Sequence, residues 1–218
     1  VSDAGDGKRT TDASRDEVTP DEAPIDAERG TGRGIPPDWT IRRIVRTMVP
    51  LLAALSVLQM VSGTVLETYE EALLENPALL ILVPVQIGTA GNLASIMCSR
   101  LSTGIHLGTF ELSPSNPAVR ANVGAVFALA ATVFSAVGVA AWGLGRLLGG
   151  SLGLADVLTV SLLSGMALAV LVVVMSLLAV QASYRIGLNP DDTTIPIVTN
   201  LCDVGGVLIL FAVVAVVL

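Results

Sequence analysis

The chain has 218 residues, 52% of them hydrophobic and 14% charged, with a mean hydropathy of +0.74. Soluble domains carry roughly a quarter charged residues, so this composition excludes one. The formal net charge of −7 is unevenly spread: residues 1–40 hold ten Asp/Glu and five Lys/Arg, while the other 178 hold nine and seven. A water-facing acidic stretch ahead of an apolar body excludes a soluble enzyme, a nucleic-acid binder and a disulfide-stapled module.

Residues 1–40 are rich in Asp, Glu, Gly, Pro, Ser and Thr and show no apolar periodicity. They cannot bury enough surface to offset ordering entropy, and they read as a disordered acidic cytoplasmic tail. Residues 41–218 read as one transmembrane domain. A spanning helix needs about 20 apolar residues to cross about 30 Å of hydrocarbon. Uncharged runs of that size occur at Thr47–Leu66, Asn76–Ser99, Ala121–Gly145 and Val157–Tyr184. A fifth, Thr193–Leu218, is interrupted by a single charge, Asp203. The expected fold is therefore an all-α, multi-pass protein of the cell membrane with five transmembrane helices.

Arginine placement sets the expected orientation. Arg42, Arg43 and Arg46 precede the first span, which puts the N-terminus in the cytoplasm and, with five spans, the C-terminus outside. Arg100, Arg120 and Arg185 then fall on the cytoplasmic side, and Arg146 alone lies outside. The first external loop carries Glu67, Glu70, Glu71 and Glu75 and no basic residue. Glu67, nearest the membrane, is the candidate among them for drawing cations to a mouth; a merely solvated loop is the competing reading.

The second span contains Pro84, followed by Gly88, Gly91 and the polar residues Gln86, Thr89, Asn92 and Ser95. In lipid, backbone groups freed by proline survive only against protein or a water-filled cavity. Discontinuous helices at mid-membrane depth expose carbonyls to permeating ions, so a broken second helix at an ion path is expected. In the third and fourth spans, Gly124, Ala128, Ala131, Ser135 and Gly138, then Ser161, Gly165 and Ala169, form rows suited to close helix packing. The Gly143–Gly150 stretch reads as a glycine-rich external turn. Cys98 and Cys202 fall in apolar runs and read as small fillers.

The last span holds the sharpest feature. An Asp at membrane depth costs about 2.5–3.5 kcal/mol even on the lenient insertion scale. No Lys, Arg or His lies inside another span to pair with Asp203. Such a carboxylate must be protonated, hold a cation or face water. Thr199 lies four residues before it on the same helix face, and Asn200 three before it. Thr, Asn, carbonyl and carboxylate oxygens suit a hard cation. Magnesium in particular keeps several waters and takes one or two carboxylates.

These residues give the sequence its resemblance to the membrane domain of the MgtE family of magnesium channels and transporters. It is most similar to the single-domain form, which is akin to one half of the eukaryotic duplicated carriers. Three stretches carry the likeness: PALLILVPVQIGTAGNLASIMCSRLSTGIHLG (77–108), NPDDTTIPIVTNLCD (189–203) and, more weakly, VLETYEEAL (65–73). The resemblance implies five helices per subunit, a homodimer with the pore between subunits, and passage of magnesium as the transported ion, with no cofactor. It places the family's ion-binding aspartate on Asp203, the threonine pair beside it on Thr199 and Asn200, and the second-helix asparagine on Asn92. Gly88 joins the set through the glycines of that helix. Ala90 and Asn200 depart from the bacterial pattern, which has glycine and threonine there. Other readings stay open: Mn2+ or Co2+ as the ion, a heterodimer with a sister half-domain, or a non-transporting membrane partner subunit. An enzyme is not expected, because neither a nucleophile–base pair nor a metal cluster is present.

Overall fold

A computed structural model describes residues 41–108, 113, 115–186 and 190–218. The expected tail, residues 1–40, lies outside the described residues. Every regular element among the described residues is a helix: α1 (Ile41–Thr68), α2 (Glu70–Glu75), α3 (Pro77–His106), α4 (Pro117–Leu147), α5 (Leu154–Ile186) and α6 (Pro190–Val217). Five of them are long and apolar enough to cross a membrane. The short α2, which the sequence reading did not anticipate, occupies the loop between the first two spans.

α3, α4, α5 and α6 form a four-helix arrangement in which α3 neighbours α4, α5 and α6, and α5 neighbours α4 and α6. Two apolar clusters fill it. One gathers Leu79, Leu82, Val83, Ala141, Val157, Val160, Leu210 and Phe211. The other gathers Leu93, Met97, Leu101, Val126, Phe134, Leu168, Val172 and Val180. The sequence interval separating the two on each helix holds the buried polar groups Gln86, Ser161 and Ser164, together with half-buried Asp203. Buried Ser102, Ser176, Ser183 and Thr194 add further polar groups on the side of the second cluster. Cys98 and Cys202 are free and buried in the second cluster, as small fillers.

Close packing of α4 on α5 depends on small residues. Ser161 Oγ donates to the Phe134 carbonyl at 2.7 Å, tying the two helices directly. A Cβ on Gly165 would lie 2.1 Å from Phe134 Cδ2, so only glycine admits that ring. Ser161, Gly165 and Ala169 are all buried, as the α5 pattern suggests. On α4 the buried row is Val126, Ala130, Phe134, Gly138, Ala141 and Gly145 instead. Gly124 and Ala128 are exposed and Ala131 and Ser135 half-buried, so of the small-residue row read from this span only Gly138 is fully buried. Phe134 is the reason: filling the space over Gly165 rotates its own face inward.

Two boundaries differ from expectation. α3 is helical without interruption from Pro77 to His106, so the anticipated break is not seen. Pro84 deletes one backbone bond, but its ring is on the exposed face, while Leu82, Val83 and Gln86 on either side are buried and hold the axis. α4 likewise runs on through Gly143 and Gly145 to Leu147. The turn starts later, with Gly149 at φ +88°, Gly149 N–H on the Arg146 carbonyl at 3.2 Å and Gly150 N–H on the Gly145 carbonyl at 2.8 Å. This is a Schellman cap, and it satisfies two terminal carbonyls that would otherwise be unpaired.

Gly165→Ala should destabilise the bundle by about 1–3 kcal/mol through overpacking. Thermal unfolding of the detergent-solubilised variant checks this. Phe134→Leu in the same chain should recover part of the loss, and failure to recover any would show that the ring is not the obstacle.

Candidate cation site

α3 and α6 meet near the middle of both helices, where α6 contributes glycine. A Cβ on Gly206 would find Ala90 Cβ at 3.6 Å and Gln86 Cγ at 3.8 Å. One turn away, a Cβ on Gly91 would lie 3.1 Å from Asp203 Oδ1. The carboxylate is therefore set against the backbone of α3. Asp203 as a residue is half-buried, but Oδ1 is sealed against the Gly91 backbone and has no side-chain hydrogen-bond partner among the described residues. A buried, unpartnered carboxylate oxygen is rare and expensive, and it marks a position that packing alone does not account for.

The other oxygen, Oδ2, accepts a hydrogen bond from Gln59 Nε2 at 3.3 Å, and the same nitrogen donates to Asn200 Oδ1 at 3.0 Å. Asn200 is oriented from behind, its Nδ2 donating to the Pro196 carbonyl at 2.8 Å. Thr199 Oγ1 donates to that carbonyl too, at 3.0 Å. The hydroxyl proton of Thr199 is thereby directed along its own helix, and its lone pairs remain available. One turn of α6 thus presents a hydroxyl, an amide oxygen and a carboxylate, all hard oxygen donors of the kind that suit magnesium or calcium rather than zinc.

Of the residues singled out from sequence, the structure groups Asp203, Asn200 and Thr199 on α6. The others stand apart. Asn92 follows Gly91 directly and is exposed on α3. Gly88 shares that exposed face, one turn away, with open space where a side chain would project. Glu67 is exposed near the C-terminal end of α1, eight residues beyond Gln59 and so about 12 Å further along the axis. It does not reach Asp203. Among the described residues, no three His, Cys, Asp or Glu side chains gather into a metal cage.

Gln59 is the residue that sequence reading overlooked. It stands in the run LSVLQMVSG as a lone amide at membrane depth, and that isolation was the available signal. Buried Gln86, by contrast, has no partner for its Nε2 among the described residues. Gly91 was noted for helix breaking, whereas its role here is to admit the carboxylate.

The sequence matches the MgtE family, described as divalent cation transporters, over residues 83–213. The match runs from within α3 through most of α6 and leaves α1, α2 and the 65–73 stretch outside it. A search of curated proteins found no match. Members of this family are membrane transporters or channels rather than enzymes, and the five apolar helices agree with a multi-pass membrane location.

Gly91→Ala should displace Asp203 Oδ1 by a few tenths of an ångström, because a Cβ at 3.1 Å is closer than ordinary contact. Divalent cation flux in liposomes should fall severalfold while the thermal midpoint changes little. A variant with normal flux would show that the carboxylate's seat on α3 is unimportant. From the residues upward, then, the chain is a member of the MgtE family of divalent cation transporters.

Proposed function

We propose that the chain carries magnesium across the membrane, with Asp203 as the intramembrane carboxylate and Thr199 and Asn200 as the oxygens beside it. The observation that carries this reading is Asp203 itself: a carboxylate near mid-helix with one oxygen sealed and unpartnered, inside a family of divalent cation transporters. A cation reaching Oδ2 supplies what the site lacks, a positive charge on the carboxylate whose other oxygen stays sealed. With one carboxylate per chain the site suits a partly hydrated ion that enters and leaves, not a resident one.

The pathway runs between two copies. Pro84, Gly88 and Asn92 recur every fourth residue on α3 and are exposed, so the edge next to the Asp203 contact has no cover among the described residues. A second copy across a twofold axis covers it and brings the two Asp203 carboxylates toward one path, by analogy with the prevalence of twofold oligomers. A divalent ion between two like charges relieves their repulsion. The N-terminus lies in the cytoplasm and the C-terminus outside, by the arginine rule. Glu67 then stands at the external mouth and Asn92 and Gly88 line the path.

Reconstitution in liposomes with a magnesium indicator tests the assignment. Wild type should admit magnesium, and Asp203→Ala should reduce flux at least about tenfold, the loss expected when a charged ligand is removed. Normal flux in Asp203→Ala would sink the site; no flux in wild type would favour a non-transporting subunit or a missing sister half. For the pore between copies, a cysteine at Ile96, exposed on the same α3 face, should cross-link two chains in the membrane. A chain that stays monomeric under oxidation would argue against that pore.

A further inference from the structure

The hydrogen bonds of Gln59 have a consequence for how the site is occupied. A side-chain amide nitrogen has two N–H groups, and here they are shared between Asn200 Oδ1 at 3.0 Å and Asp203 Oδ2 at 3.3 Å. The other carboxylate oxygen, Oδ1, is sealed against Gly91. The reachable oxygen of Asp203 is therefore the one that Gln59 holds. A water in the shell of a hydrated cation also presents two donors, so the amide stands where such a water would stand and competes for the same two acceptors.

The residue also sits on the helix least committed to the core. Among the described side chains of α1, only Leu55 is buried, whereas α3 and α5 each bury a dozen or more. Displacing α1 or re-orienting one of its side chains thus disturbs little apolar packing. Gln59 lies outside residues 83–213, so membership of the family by itself assigns it no role.

We infer that Gln59 is a latch on the cation site: its amide holds the oxygens of Asn200 and Asp203 while the site is empty and must leave them when a hydrated divalent cation binds. The latch rests on the reading of Asp203 as the cation carboxylate. It makes Gln59 a positioning residue that acts through its two acceptors and lowers the affinity of the site, which favours release of the ion. A residue that merely braced the site would do the opposite, since its loss would leave the ligands disordered and binding weaker.

The sign of the affinity change separates the two. Magnesium is titrated calorimetrically into the purified full chain in nanodiscs, with thermal unfolding recorded for each variant. Gln59→Leu removes both donors and should bind magnesium about tenfold more tightly, the equivalent of one hydrogen bond to a charged acceptor. Gln59→Glu keeps the size but turns donor into acceptor, and should tighten magnesium at least as much without creating comparable sodium binding. Unchanged or weaker magnesium binding in a folded Gln59→Leu overturns the latch. If that variant does not fold, the same result in Gln59→Glu overturns it. Wild type without saturable binding, or full binding in Asp203→Ala, overturns instead the assignment of Asp203 on which the latch depends.

Discussion

A carboxylate within a membrane-spanning helix needs its oxygens satisfied by something other than lipid, and the centre of this bundle is organised around that demand. Asp203 meets α3 at Gly91, where the absence of a side chain lets an oxygen come against the helix backbone. Gly206, packed over Ala90 and Gln86, keeps the two helices close at the next turn. A larger residue at Gly91 would force the carboxylate to shift, whereas a Cβ at Gly206 would meet only ordinary van der Waals contacts. The stability of the surrounding bundle is what holds this under-satisfied group in place.

That stability comes from the two apolar clusters on either side of the Asp203 level. Packing between spanning helices gains little from the hydrophobic effect, because lipid tails are as apolar as the side chains they replace. Fit matters more, and the fit here is specific: Phe134 over Gly165, and Ser161 reaching the Phe134 carbonyl. Buried Ser183 and Thr194 hydrogen-bond each other and join α5 to α6 one turn before Val198 enters the core. These contacts set the position of α6, and with it the positions of Thr199, Asn200 and Asp203.

α1 stands in a different relation to the bundle. Tyr69, just after it, stacks on Phe211 with ring centroids 4.2 Å apart, anchoring the α1–α2 junction to α6 two turns beyond Asp203. Gln59 makes a second, polar attachment at the carboxylate. The first is apolar and indifferent to ions; the second involves the same oxygens a cation would use. Both attachments lie in the C-terminal half of α1 or just beyond it.

Much of this was legible in the residues. Apolar run lengths determine five spanning helices regardless of how they pack, because hydrocarbon thickness sets the length of each. The isolation of Asp203 among uncharged residues made it the candidate ligand, and the three- and four-residue spacing put Asn200 and Thr199 beside it, since helical periodicity is a local property. Local rules also misled: Pro84 read as a break because a missing N–H weakens an isolated helix, yet buried neighbours on either side carry the helix through. The row at Gly124 and Ala128 read as a packing face because small residues permit contact without requiring it, and Phe134 turned another face inward. Only the tertiary structure could decide what lies opposite Asp203. Gln59 and Gly91 are 144 and 112 positions away in the chain, and neither has a local pattern that points to α6. Their meeting depends on which helices neighbour one another and at what height, which arises from the packing of all the long helices together.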